Sequence, residues 1–173
     1  MAKWVAISGT WRHLVAGVEK DVREAVQRLH QQGTNLVVGS APGVDSFALD
    51  EMLMLNPDAS RILVMLPTTL PYYVERLTAW GQSQSTLEQE HVKTQIALLE
   101  RLLRLRPEAL QQGPEIEAHK MEETDYSAMN ARIVAHADEL QAFQVDESHG
   151  TQDAIDKARS LGKRVVVHSY HTL

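Results

Sequence analysis

Short apolar runs alternate along the chain with longer segments whose apolar residues recur every three to four positions. The runs Trp4-Val5-Ala6-Ile7, Leu36-Val37-Val38, Ile62 to Leu66, Leu140 to Val145 and Arg164 to Val167 read as five strands. The first three carry no alternate polar row, as expected of strands covered on both faces in a parallel sheet. Val18, Val22, Ala25, Val26 and Leu29 share one helical face, and Gly33 stands where that helix stops. A second helix follows Asp45 or Ser46, either of which is placed to cap it, and ends near Asn56-Pro57. Tyr126, Met129, Ile133, Val134 and Ala137 mark another helical face. A last helix opens at Ser148-His149-Gly150-Thr151, buries Ala154, Ile155, Ala158 and Leu161, and stops at Gly162. The alternation predicts an α/β Rossmann-like three-layer sandwich around a mainly parallel five-stranded sheet.

Between the third and fourth strands the rhythm breaks, over about 71–124, which reads as a helical insertion. Ser85 to Arg106 predicts a long helix with Val92, Ile96, Leu99 and Leu103 on one face and Leu98, Leu102 and Leu105 beside them. So wide an apolar surface needs the core or a second subunit against it, and a homodimer is the expectation. The segment from Glu115 to Asp125 carries five acids and reads as solvated surface.

Composition narrows the function classes. The 173 residues suit one Rossmann-like domain over 1–173. There is no cysteine, which excludes disulfides, thiol catalysis and cysteine-bound metal and fits a cytoplasmic location. No apolar run approaches the roughly 18 residues of a membrane span, and the first strand begins at once, without a signal-peptide pattern. The net charge of −6 argues against nucleic acid as the partner. Eight histidines occur without His-x-x-x-His or His-Glu-x-x-His spacing, so no metal and no cofactor is expected, and His168 and His171 read as surface residues.

The chemistry gathers at strand ends. In an open parallel sheet, ligands bind beyond the carboxyl ends of the strands. Ser8 to Arg12, Gly39 to Asp45, Pro67 to Tyr73 and Asp146 to Thr151 all fall there. Two of these loops run straight into a helix start, where unpaired N–H groups and the helix dipole favour an anion. Ser8, Gly9, Thr10, Arg12, Gly39, Ser40, Gly43, Asp45, Asn130, Gly150 and Thr151 are the candidate ligand contacts. Arg12 suits a bidentate phosphate contact. Trp11 suits stacking on a base or simple packing, Asp45 a ribose hydroxyl or a helix cap, and Tyr72 and Tyr73 a pocket wall or an anchor.

Val5-Ala6-Ile7-Ser8-Gly9-Thr10, Gly39-Ser40-Ala41-Pro42-Gly43-Val44-Asp45, Asn130 ahead of Ala137-Asp138-Glu139-Leu140, and Gly150-Thr151 before Ala158 together resemble the SLOG superfamily. That group joins the DNA-processing protein A family to the LOG nucleotide phosphoribohydrolases. The resemblance spans all of the chain except Pro71 to Thr124. It implies a Rossmann-like sheet and a site for a nucleotide or nucleotide derivative. The family often has an Arg before the Asn, where Met129 stands here. The LOG pattern Gly-Thr-x-x-Glu meets Ala154 in place of the Glu, and Asp153 is one residue off, about 100° around a helix. The first expectation is therefore a nucleotide-binding sensor or binding protein. The alternatives are a hydrolase or transferase of an N-glycosidic or phosphoribosyl bond, with Asp45 or Asp153 as acid/base, and a single-stranded DNA-binding protein.

Overall fold

The computed structural model describes residues 1–173. The strands are β1 (Trp4–Gly9), β2 (Asn35–Val38), β3 (Ile62–Met65), β4 (Leu110–Gln111), β5 (Glu139–Val145) and β6 (Arg164–Tyr170). The helices are α1 (Val18–Gln31), α2 (Val44–Leu55), α3 (Leu70–Gly81), α4 (Thr86–Leu105), α5 (Glu123–His136) and α6 (His149–Ser160). All strands pair in parallel, in the order β4-β3-β2-β1-β5-β6. The sheet thus has six strands, not the expected five. The extra one, β4, is two residues long, too short for any periodicity to announce it.

Side chains leave each strand alternately to the two faces. Val5 and Ile7, Leu36 and Val38, and Phe143 and Val145 enter a large core under α1, α2, α3 and α4. Ala6, Val37, Leu140 and Ala142 enter a smaller one under α5 and α6. The helices end as the residue types dictate. Gly33 and Gly162 take positive φ (+72° and +70°) after α1 and α6, a conformation that costs a residue with a Cβ about 1 kcal/mol or more. Ser85 and Glu88 close a reciprocal capping box on α4. Asp45 does not cap α2 as expected. Gly43 holds the N-cap position, and the Asp45 carboxylate turns back to accept from Ala41 N–H at 3.1 Å.

The region between β3 and β5 holds three helices (α3, α4 and α5), short 3-10 turns and β4, and α4 is the long helix expected over Ser85 to Arg106. Val92, Leu98, Leu99 and Leu102 of α4 are buried within the chain's own large core, beside residues of α2 and α3. Most of the apolar surface that called for the core or a second subunit therefore has its cover within this chain, while Leu105 stays exposed. His168 also differs from expectation. It is half-buried, with its ring stacked on Phe143 at 4.5 Å.

Candidate functional site: the carboxyl rim of the sheet

Because every strand runs the same way, every carboxyl end opens on one edge. The strand order reverses between β1 and β5. The chain leaving β1 passes to α1 on one face, and the chain leaving β5 passes to α6 on the other. The two loops separate and leave a crevice, the switch point where open α/β sheets take ligands. Ser8, Gly9, Thr10 and Arg12 form one bank, and Gly150 and Thr151 form the other. Gly39, Ser40, Gly43 and Asp45 lie one strand over, at the end of β2.

A hydroxyl relay joins the banks. Val145 N–H donates to Thr10 Oγ1 at 2.9 Å. Thr10 and Ser148 hydroxyls meet at 2.8 Å, and Ser148 donates on to Thr151 Oγ1 at 2.8 Å. Ser148 is the N-cap of α6, yet its side chain caps no backbone group. The N–H groups of His149, Gly150 and Thr151 consequently have no acceptor in the protein. Gly150 is exposed, its φ is not positive, and a Cβ there would meet nothing within 4 Å. Neither backbone nor packing requires a glycine at this position.

The other rim glycines have packing reasons. A Cβ on Gly9 would lie 2.5 Å from Val44 Cγ1, and one on Gly39 would lie 2.9 Å from Asp45 Oδ2. Gly43 has φ +88° and would bring a Cβ within 2.9 Å of Trp11 Cα. Gly9 and Gly43 let the start of α2 wedge against β1 and the loop after it, and Gly39 leaves room for the Asp45 side chain and for Met129 of α5. His13, Asp146 and Glu147, in the loops after β1 and β5, hold positive φ without being glycine (54°, 48° and 53°). Such strain persists where the surroundings enforce it and gathers at functional sites.

Helix α3 falls within the segment that reads as a helical insertion, where no separate helix is marked, and it changes the access. It starts just past β3, its Tyr73 hydroxyl donates to Ser40 O at 2.9 Å, and its Trp80 packs on Trp11 at 4.4 Å between ring centroids. The helix thus crosses the exits of β3, β2 and β1 in turn. Tyr73 is an anchor rather than an open pocket wall. Ser40 is wholly buried beneath it, and its hydroxyl points at Met129 Sδ. Of the candidates, Thr10, Gly39, Ser40, Gly43, Asp45 and Thr151 are buried, and Ser8, Gly9 and Asn130 are half-buried. Arg12 and Gly150 are exposed. The signal for α3 was present in Leu70, Tyr73 and Leu77, at i, i+3 and i+7.

Electrostatics separates the two acid/base candidates. Asp45 is enclosed, and burial raises its carboxyl to about 7 against the lowering effect of the Ala41 N–H. Asp153 is held below the ordinary carboxylate value. Partial burial would raise it, but the Lys157 ammonium, Asn130 and Ser127 together overcome that. Both its oxygens are occupied, Oδ1 by Lys157 and by Ser127 at 3.1 Å, Oδ2 by Asn130 at 3.0 Å. The Asn130 amide also donates to Gly150 O at 3.2 Å, so this cluster ties α5 to the first turn of α6. No group of His, Asp and Glu side chains is arranged to hold a metal ion. A recess of about 750 Å³ lies at the opposite edge of the sheet between Lys3, Trp4, Asn35, His136 and Asp138. It is shallow, and none of the rim groups reach it.

No protein-family model matches the sequence, and no curated protein matches it. Among solved structures, the chain is similar to DNA processing protein A from Helicobacter pylori, described for its single-stranded DNA binding mode. The TM-score is 0.61 at 22% identity, over 95% of this chain and 64% of that one. It is similar to the structural-genomics target TM1055, with TM-score 0.54 at 14% identity over 94% of this chain and 72% of that one. DNA processing protein A from Streptococcus pneumoniae gives 0.52 at 15% identity, over 95% and 58%. The chain thus spans less than two thirds of either DNA processing protein. What is shared at such identities is architecture, and this chain has the Rossmann-like fold also found in DNA processing protein A.

Proposed function

We propose that the chain, as one Rossmann-like domain in the cytoplasm, binds a nucleotide or nucleotide-derived ligand across the crevice between β1 and β5. Its role is that of a sensor or binding protein. One observation carries the reading: three unaccepted N–H groups open α6 beside an exposed glycine that nothing else requires, at the switch point of the sheet. A phosphate there gains charge-assisted hydrogen bonds of roughly 1.5–3 kcal/mol each. Arg12, which forms no ion pair, supplies a cation on the other bank. The arginine ion pairs of the chain belong to Arg23, Arg106 and Arg164.

A thermal-shift series with nucleoside monophosphates tests this. A rise in Tm that grows with concentration is expected, and it weakens in Gly150→Pro. That variant removes one N–H at a helix position where proline is tolerated. No shift with any nucleotide refutes the reading.

The likeness to a Helicobacter pylori protein described as binding single-stranded DNA favours a second reading, in which the rim takes an oligonucleotide despite the acidic charge. Tight, salt-sensitive binding of an oligonucleotide with no response to mononucleotides would select it. For bond cleavage, Asp45 is the better acid/base candidate. Its proton is retained to about 7, whereas Asp153 is clamped as an anion.

A further inference from the structure

We infer that Arg12, backed by Trp11 and Trp80, forms a stacking subsite for a nucleobase, so that the rim ligand carries a base and is not a plain sugar phosphate. The inference rests on the proposed rim site and specifies its ligand. Trp80 at the end of α3 lies against Trp11, with ring centroids 4.4 Å apart and planes tilted by 35°. The Arg12 guanidinium lies over the Trp11 ring, its Cζ 5.1 Å from the centroid. The three groups thus form a ladder whose outermost member, Arg12, is exposed while both tryptophans are half-buried.

The ladder is held in place. Trp11 follows Thr10, whose hydroxyl crosses the crevice to Ser148 at 2.8 Å. Gly43 approaches so closely that a Cβ there would lie 2.9 Å from Trp11 Cα. His13, at φ 54°, turns the chain immediately afterwards. A guanidinium lying over an indole and exposed on its outer side keeps N–H groups available for a ligand. Its chemistry suits a flat π system with an anionic group attached, because guanidinium planes stack on bases and bind phosphate. The net charge of −6 makes an unpaired, exposed arginine at this place more telling than it would be on a basic surface. An anion without a ring would use the charge alone and leave the aromatic backing without a purpose in binding.

The test compares AMP, GMP, CMP and UMP with ribose 5-phosphate and inorganic phosphate, by calorimetry and by tryptophan fluorescence in a Trp4→Phe background. That background leaves Trp11 and Trp80 as the reporters. At least one nucleoside monophosphate should bind roughly 5- to 100-fold more tightly than ribose 5-phosphate and quench the fluorescence. Arg12→Lys keeps the charge and removes the plane. It should abolish the preference, so that within the variant that nucleotide and ribose 5-phosphate bind with about equal affinity, whatever the loss of the bidentate fork costs both. Equal affinities for nucleotides and ribose 5-phosphate, or an Arg12→Lys variant that keeps the preference for the base, overturns the stacking subsite alone. Failure of every phosphate compound to bind overturns the rim site as well.

Discussion

Asp45→Asn should make the protein more stable at neutral and alkaline pH. The Asp45 carboxyl is sealed between the β2 loop and α2, with one N–H donor, that of Ala41, to offset its desolvation. Its proton is held from the ordinary value of 3.8 up to about 7. The unfolded chain releases that proton near 3.8 and the folded chain keeps it, so the folded state binds more protons through this window. Stability attributable to Asp45 therefore falls as pH rises from about 4 to about 7, and the loss is complete above that. At about 1.36 kcal/mol per pH unit the whole loss is about 4 kcal/mol. Asparagine accepts from Ala41 N–H without a charge and avoids the loss. Urea denaturation of both proteins at pH 4, 5, 6, 7 and 8 measures the difference directly, because all other groups titrate in common. We expect the variant's advantage to grow from pH 4 to pH 7 and then level off. A difference that does not change with pH, or that moves in favour of the native protein as pH rises, refutes the reasoning.

Further outcomes follow from other buried groups. Gln95 on α4 is wholly buried with neither amide atom hydrogen-bonded. Gln95→Met should raise stability by about 1–3 kcal/mol in the same denaturation assay, and a loss would show that the amide has a partner. Gly9→Ala drives a Cβ onto Val44 and should cost about 1–3 kcal/mol. Gly150→Ala meets no atom and should be neutral or stabilising by up to about 1 kcal/mol, as a pair of thermal melts would show. His168 has a buried, unpartnered Nε2 on a ring stacked against Phe143, and burial, aided by Arg28 and opposed by Asp21, lowers its proton affinity below the ordinary 6.5. Its contribution is present above about pH 6.5 and is lost as pH falls through the lowered value. His168→Phe should therefore lessen acid destabilisation between pH 6 and 4, followed by circular dichroism.

The repeating units were legible because each strand–helix pair carries its own period. The bounds of α1, α4 and α6 follow from Gly33, Ser85 and Gly162, whose stereochemistry acts locally. What was not legible depends on partners distant in sequence. β4 is a strand only because Val64 and Met65 lie beside Leu110 and Gln111. The glycines at 9, 39 and 43 read as phosphate loops, but their packing reasons come from Val44, Asp45 and Trp11, which sequence spacing alone does not bring close. Lys157 meets Asp153 one turn along the same helix, but the further commitment of Asp153 to Ser127 and Asn130 is likewise a tertiary event, across the α5–α6 interface.

The placement of β1 between β2 and β5 also bears on how the molecule forms. Val5 aligns with Leu36 on one side and with Glu139 on the other, so half of its ladder waits for a segment made far later. Such long-range closure carries a large entropic barrier and slows assembly. Until β5 arrives, the growing polypeptide presents a bare ladder of backbone donors and acceptors next to Val5 and Ile7, a template for mispairing between nascent chains.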